Sequence, residues 1–386
     1  MKPWWDAAYL AWRYLASAPL RTAAMALTVA VSVLLPLLTV GLGWLVEARL
    51  LDRAERTPIV VGARGDQVDL VMSALYFRGE LARPTPYAAV SRLRAEVRGR
   101  VVPLHTGHSA GGIPVVGTSL EYLEARGLEV VQGRGPAVLG EVVVGAAAAR
   151  AAGLGVGATL RSDQRNLYDL SGSYPVRLTV VGVLGASGSP DDEVLFADVK
   201  TTWTLDGLVH GHEQVTAADA LRAGEQDLVA SPAIFLFTEL DAQTLPSFHA
   251  HGQEAQWPLS AVLVFPADRQ AHDLTLGRLA VDPQLHAVRP VEVVRLVLGI
   301  VLRVQQLLAS YLMLQAMTTA GLLALVVSLS LRLREAELTL VRRMGASRGA
   351  VWRMVGCELG MVGLLGLALG LGATAGLLLA AARWAP

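Results

Sequence analysis

Charge vanishes from three stretches of this chain. Thr22–Val46, Val304–Leu331 and Leu359–Ala382 hold no Asp, Glu, Lys or Arg. Each exceeds the ~20 residues a helix needs to cross the hydrocarbon core of a bilayer. Three transmembrane helices are therefore predicted, over 22–47, 301–331 and 354–386. A signal peptide is the rival reading of the first run, but its apolar region spans only about 7–15 residues and ends at a small-residue cleavage site. No such site closes this run near Trp44, so a retained helix is expected.

Between the first two runs the pattern changes. Short apolar or alternating segments bounded by Gly, Pro or Asp read as strands: PIVVG, RVVPL, IPVVG, EVVVG, RLTVVGVL, EVLFADV, AIFLF and SAVLVF. Helix-like pieces, PYAAVSRLRAEV and GAAAARAAG, lie among them. Residues 48–300 are predicted to form a mixed α/β domain. Both of its ends read as helices continuous with the membrane runs, WLVEARLLDRAER leaving the first and PVEVVRLVLGIVLRVQQLL entering the second. Such stalks could carry movement between membrane and domain.

The flanks of the runs add topology. Residues 332–353, RLREAELTLVRRMGASRGAVWR, carry six arginines against Glu335 and Glu337. Arginine-rich short loops stay on the cytoplasmic side, which places this loop and the N-terminus there, and residues 48–300 and the C-terminus outside. In residues 1–21, Trp5, Tyr9 and Trp12 fall on one helical face beside Lys2 and Arg13, the pattern of an amphipathic helix lying in the membrane interface. In the third run Gly356/Gly360, Gly366/Gly370 and Gly372/Gly376 each have G-x-x-x-G spacing. Small residues let helix backbones approach closely in lipid, so these glycines are expected at helix packing surfaces, including one between two copies.

Composition narrows the function. Of 386 residues, 53% are hydrophobic and 17% charged, with zero net charge; mean hydropathy is +0.45. Nucleic-acid binding needs a basic face that this balance does not provide. Cys357 is the only cysteine, which excludes an intrachain disulfide and a cysteine zinc site. Lys2 and Lys200 are the only lysines. Neither follows a glycine-rich loop, so the chain has no phosphate-binding P-loop. If ATP drives this protein, a separate subunit binds it.

Candidate catalytic patterns are weak. GHSAG at 107–111 matches the G-x-S-x-G of a hydrolase nucleophile elbow, which would put Ser109 on a strand-to-helix turn. A strand signal with Pro114 follows instead. His210/His212 and His249/His251 have the i, i+2 spacing that lets two strand histidines share a metal. Both pairs sit in polar, turn-rich sequence and read as solvated loop histidines. Asp191, Asp192 and Glu193 read as a turn after Pro190, without EF-hand spacing. Glu358, near the start of the third run, is expected to reach the membrane interface. No catalytic, cofactor-binding or metal-ligating residue is therefore assigned.

AELTLVRRMGASRGAV resembles the short cytoplasmic segment of MacB/FtsX-type ABC transporter permeases. Their pattern is Glu-hydrophobic-Gly-hydrophobic-hydrophobic-Arg-x-hydrophobic-Gly-Ala-Ser. Glu337, Leu338, Leu340, Val341, Arg342, Met344, Gly345, Ala346 and Ser347 fit it, while Thr339 stands where Gly is frequent and Arg343 where Ala is. AWRYLASAPLRTAAMALTVAVSVLL looks like the family's entry into its first helix. GEVVVGAAAARAAGLGVGATL followed by LTVVGVLGASGSPDDEVLFADV is similar to its extracytoplasmic domain. Family members usually carry a fourth helix and a cytoplasmic tail, where this sequence has three apolar runs.

The resemblance implies an α-helical membrane protein with three transmembrane helices and a mixed α/β extracytoplasmic domain on helical stalks. It implies a non-enzymatic permease subunit in the inner membrane that relays motion of a cytoplasmic ABC ATPase to the periplasmic domain. ATP and Mg would sit on that ATPase, and Glu337, Leu338, Leu340, Val341, Arg342, Arg343, Met344, Gly345, Ala346 and Ser347 would touch it. A second permease copy, as homodimer or paralogue, membrane lipids and a periplasmic adaptor or effector are the further partners expected. The alternatives are an FtsX-like regulator of a cell-wall hydrolase and, more remotely, a membrane-tethered serine hydrolase using Ser109. Apart from the resemblance, Gly345 can end the loop helix in a left-handed conformation and Ser347 can cap the next one.

Overall fold

The computed structural model describes residues 3–79, 83–164, 175–211, 220–223, 228–230, 237, 240, 243–250 and 252–384. Contacts divide the chain into two units, residues 1–48 with 298–385, and residues 49–297.

The first unit is helical. Helix α1 (Pro3–Ser17) is followed by α2 (Pro19–Glu55). Pro19 opens α2 at a position where its missing N–H costs nothing. Ala7 and Ala11 of α1 are buried, whereas Trp5, Tyr9 and Trp12 are exposed, and α1 packs on the last helix of the chain. Among the described residues, three helices are long and apolar enough to cross a membrane: α2, the helix Pro290–Leu333 and the helix Arg348–Trp384. The helices α2 and Pro290–Leu333 extend past the apolar runs.

The second unit is a mixed α/β domain. Its helices are α3 (Gln67–Tyr76), α4 (Ala88–Glu96), α5 (Leu120–Arg126), α6 (Ala146–Ala152), α7 (Val199–Leu205) and α8 (Arg269–Ala280). The long helices that complete the chain are then α9 (Pro290–Leu333), α10 (Glu335–Arg343) and α11 (Arg348–Trp384). Its strands begin with β1 (Ile59–Ala63), β2 (Thr85–Pro86), β3 (Gly99–Ala110), β4 (Ile113–Thr118), β5 (Val130–Gly133) and β6 (Glu141–Val144). They continue with β7 (Thr159–Arg161), β8 (Arg177–Leu184), β9 (Leu195–Asp198), β10 (Val209–Gly211), β11 (Ala220–Ala223) and β12 (Leu228–Ala230). The last are β13 (Phe248–Ala250), β14 (Pro258–Leu259), β15 (Ala261–Pro266) and β16 (Leu285–Val288).

Ten strands form one sheet in the order β16-β1-β15-β3-β4-β9-β6-β8-β5, with β7 also on β8. The pairs β4–β9 and β6–β8 are parallel; the others are antiparallel. Val60, Val102, Val143 and Leu263 are fully buried, because the sheet is covered where these apolar runs cross it. One core gathers Ile59, Val61, Leu93, Val264 and Trp203. Trp203 stands edge-on to Tyr87 and Trp257, and its indole N–H donates to the Pro258 carbonyl at 2.8 Å. A second core gathers Val142, Val144, Leu178, Val180 and Leu195. The predicted strand AIFLF lies almost wholly outside the described residues.

Candidate functional site: a basic elbow and three buried polar clusters

The loop between α9 and α11 is an elbow. α10 ends at Arg343, and Gly345 follows at φ 103°, a conformation that excludes most side chains. The Gly345 N–H donates to the Arg342 carbonyl at 3.0 Å. Ser347 Oγ accepts from the Ala350 N–H at 3.2 Å, capping α11. Leu340 and Met344 are 59% and 74% exposed, beside exposed Arg342, Arg343 and Ser347. Ala346 is half-buried. The side chains of Glu337, Leu338 and Val341 lie outside the described residues.

Glu358 anchors the root of this elbow. Its carboxylate accepts from Arg21 Nη2 at 3.3 Å and from Arg334 Nη1 at 3.2 Å. Arg334 is the junction residue between α9 and α10, and its guanidinium carbon sits 3.5 Å from the centre of the Tyr14 ring. Arg21 Nη1 donates to the Tyr14 hydroxyl at 2.9 Å. Residues of α2, α11 and the α9–α10 junction thus meet at one carboxylate, with Tyr14 of α1 against both guanidinium groups. The Glu358 side chain is only 8% exposed. A charge buried among helices needs partners, and two guanidinium groups supply them.

The glycines of α11 divide by face. A Cβ at Gly366 would lie 2.7 Å from the Ala26 carbonyl oxygen, and one at Gly370 would lie 2.7 Å from that of Ala30. This pair brings α11 against the α2 backbone. At Gly356, Gly360, Gly372 and Gly376 a Cβ would meet nothing within 4 Å. Gln305 of α9 also reaches α2, donating to the Thr39 carbonyl at 2.8 Å.

Within the α/β domain, Arg53 in the last turn of α2 enters a buried hub. It grips Asp191 with Nη1–Oδ2 2.7 Å and Nη2–Oδ1 2.9 Å, donates to the Tyr122 hydroxyl at 3.1 Å, and reaches the Leu75 carbonyl through Nε. Tyr122 donates to Asp191 Oδ1 at 2.6 Å. Burial opposes charge on both partners. The Arg53 guanidinium nevertheless holds Asp191 below the usual carboxylate range, and Tyr122 and Asp191 hold Arg53 above its own. Burial, then the Asp191 charge, pushes Tyr122 up to about 12. The turn Pro190–Glu193 matches the sequence reading, but Asp191 and Asp192 are buried within it.

Ser109 does not sit on an elbow. It lies in the β3–β4 hairpin opposite Pro114, and its hydroxyl donates to Asp163 at 2.7 Å. Asp163 also accepts from the Gly111 and Gly112 N–H groups, which closes the hairpin. His210 and His249 pair across β10 and β13, with rings 5.2 Å apart. His212 and His251 lie outside the described residues. The constellation that sequence spacing missed is His105, His108 and Asp206, whose ligand atoms lie within 4.8 Å of one another. Burial would raise Asp206, but contact with the two imidazoles holds it well below the ordinary range.

Residues 22–227, more than half of the chain, match the MacB-like periplasmic core domain. No curated protein matches. Among solved structures, the periplasmic region of MacB from Actinobacillus actinomycetemcomitans is 12% identical, with a TM-score of 0.35. That match covers 64% of this chain and 97% of the other. The extracellular domain of the noncanonic ABC-type transporter YknZ from Gram-positive bacteria is 11% identical, with a TM-score of 0.32. Here 60% of this chain and 98% of the other are covered.

Proposed function

This chain belongs to the MacB-like periplasmic core domain family, and on that footing we propose that it is the permease subunit of an ABC transporter that works by mechanical relay. The α/β domain lies outside the cytoplasm. α2, α9 and α11 cross the inner membrane, and the elbow at 334–348 faces the cytoplasm. A separate ATPase holding ATP and Mg docks on that elbow. A second permease copy completes the assembly, and the outer domain drives export or extraction of a substrate, with a periplasmic adaptor or effector.

The elbow carries this reading. Leu340, Arg342 and Arg343 stand exposed on a short helix, and Met344 just after it, between two helices long enough to span a bilayer. Exposed apolar side chains rimmed by charge suit a protein partner. A turn fixed by Gly345, and rooted through Arg334 on Glu358, transmits force where a slack loop would not. The helices α2 and α9 are 37 and 44 residues long, lengths that suit such a relay.

Glu337→Arg combined with Gly345→Pro tests it, since proline cannot adopt the φ of Gly345. The expected variant inserts in the membrane normally but no longer co-purifies with, or stimulates, the ATPase. Normal co-purification and normal ATPase coupling would sink the docking role.

A further inference from the structure

β3 brings together two histidines that an unbroken strand would hold apart. Side chains alternate along a strand, so 105, 107 and 109 would share one face. Between His105 and His108 the register slips: His105 opposes Gly117, and His108 opposes Val115. β3 thus spends one residue more than β4 over this interval, and Gly107, at φ 100°, lies within the bulge. Both imidazoles end on one side, with ring centres 5.5 Å apart. α7 closes over them because Gly117 has no side chain; a Cβ there would lie 2.2 Å from Thr202 Oγ1. Asp206, the C-cap of α7, then presents Oδ2 at 2.7 Å from His105 Nε2 and Oδ1 at 3.1 Å from His108 Nε2.

We propose that His105, His108 and Asp206 bind one divalent transition-metal ion of the zinc class, through the two Nε2 atoms and the carboxylate. Water takes the fourth position. Two imidazoles with one carboxylate are the donor set of Zn²⁺ and its neighbours, whereas Ca²⁺ and Mg²⁺ favour oxygen ligands. His105 and His108 are only 6% and 7% exposed. Despite its closeness to Asp206, His108 Nε2 is buried without a hydrogen-bond partner. The three ligand atoms lie within 4.8 Å of one another. The Asp206 side chain is 16% exposed, which gives the ion an entry route. Once bound, the ion ties the bulge of β3 to the end of α7, the helix that carries the core residue Trp203. Binding to the native state alone then stabilises the domain.

The test uses the full chain, purified in detergent without a polyhistidine tag, stripped with EDTA, and titrated with Zn²⁺ and separately with Co²⁺. The wild type is expected to take up one equivalent at this site, with a raised unfolding midpoint and a visible Co²⁺ absorption band. Excess Mg²⁺ should not displace the ion. The pair His105→Gln with His108→Gln should lose that equivalent, and His210→Gln with His249→Gln should keep it. Asp206→Asn, which preserves the shape of the cluster, should weaken binding at least about tenfold; this variant decides the matter if the double histidine variant fails to fold. A wild type that binds no Zn²⁺, or an Asp206→Asn protein that binds it as tightly as wild type, overturns the site.

Discussion

Arg53 and Asp191 face each other through two parallel hydrogen bonds, 2.7 and 2.9 Å long, with side chains 6% and 2% exposed. A buried pair of this kind behaves asymmetrically under mutation. Removing one partner strands an uncompensated charge, at a cost of about 3–5 kcal/mol. Replacing both with apolar residues is far milder. Asp191→Leu and Arg53→Leu should each lower the unfolding midpoint of the purified protein steeply, while the double variant recovers most of the loss. Equal and additive losses would show that the pair is not coupled.

The same pair sets an acid limit. The folded-state pKa of Asp191 is depressed, so its contribution is complete above the ordinary carboxylate pKa of about 4. It is lost as pH falls through the lower folded value. Urea midpoints should therefore decline toward low pH, and Asp191→Asn, already less stable at neutral pH, should show a shallower decline. Parallel acid limbs in the two proteins would contradict this assignment.

Glu358 offers a separate handle on the helical unit. With Glu358→Ala, Arg21 and Arg334 lose a shared buried partner, and α10 loses its root. The expected phenotype is normal membrane insertion with reduced ATPase stimulation in proteoliposomes. Stimulation equal to wild type would mean that the elbow holds its position without the carboxylate.

The two sets of α11 glycines should respond differently. Leucine at Gly366 or Gly370 would collide with the α2 backbone and lower thermal stability in detergent. Leucine at Gly372 or Gly376 meets open space within the chain. It should leave that stability unchanged while weakening cross-linking between copies, if that face packs on a second permease. Equal destabilisation at all four sites would refute the division.

Local pattern made much of this architecture readable. Charge-free runs mark α2, α9 and α11, and the interrupted arginine segment marks α10 and its turn, because both signals are complete within about thirty neighbouring residues. Strands such as Ile59–Ala63 and Glu141–Val144 were legible for the same reason. What escaped depends on partners remote in sequence. Arg53 takes its role from Asp191, far along the chain, and Glu358 takes its own from Arg21 and Arg334. His105 and His108 carried no strand-type ligand spacing. Only the glycine between them hinted that alternation would break there.

The place of β1 in the sheet bears on how the protein is made. This early strand lies between β15 and β16, with Val60 opposite both Leu263 and Val288. One of its edges has no native neighbour until synthesis has passed β15 at Pro266, and the other none until Val288. Such distant pairings form slowly, and a bare strand edge invites the wrong partner. Biogenesis therefore has a vulnerable interval between synthesis of α2 and of α9, when a chaperone or the translocation machinery has a strand to shield.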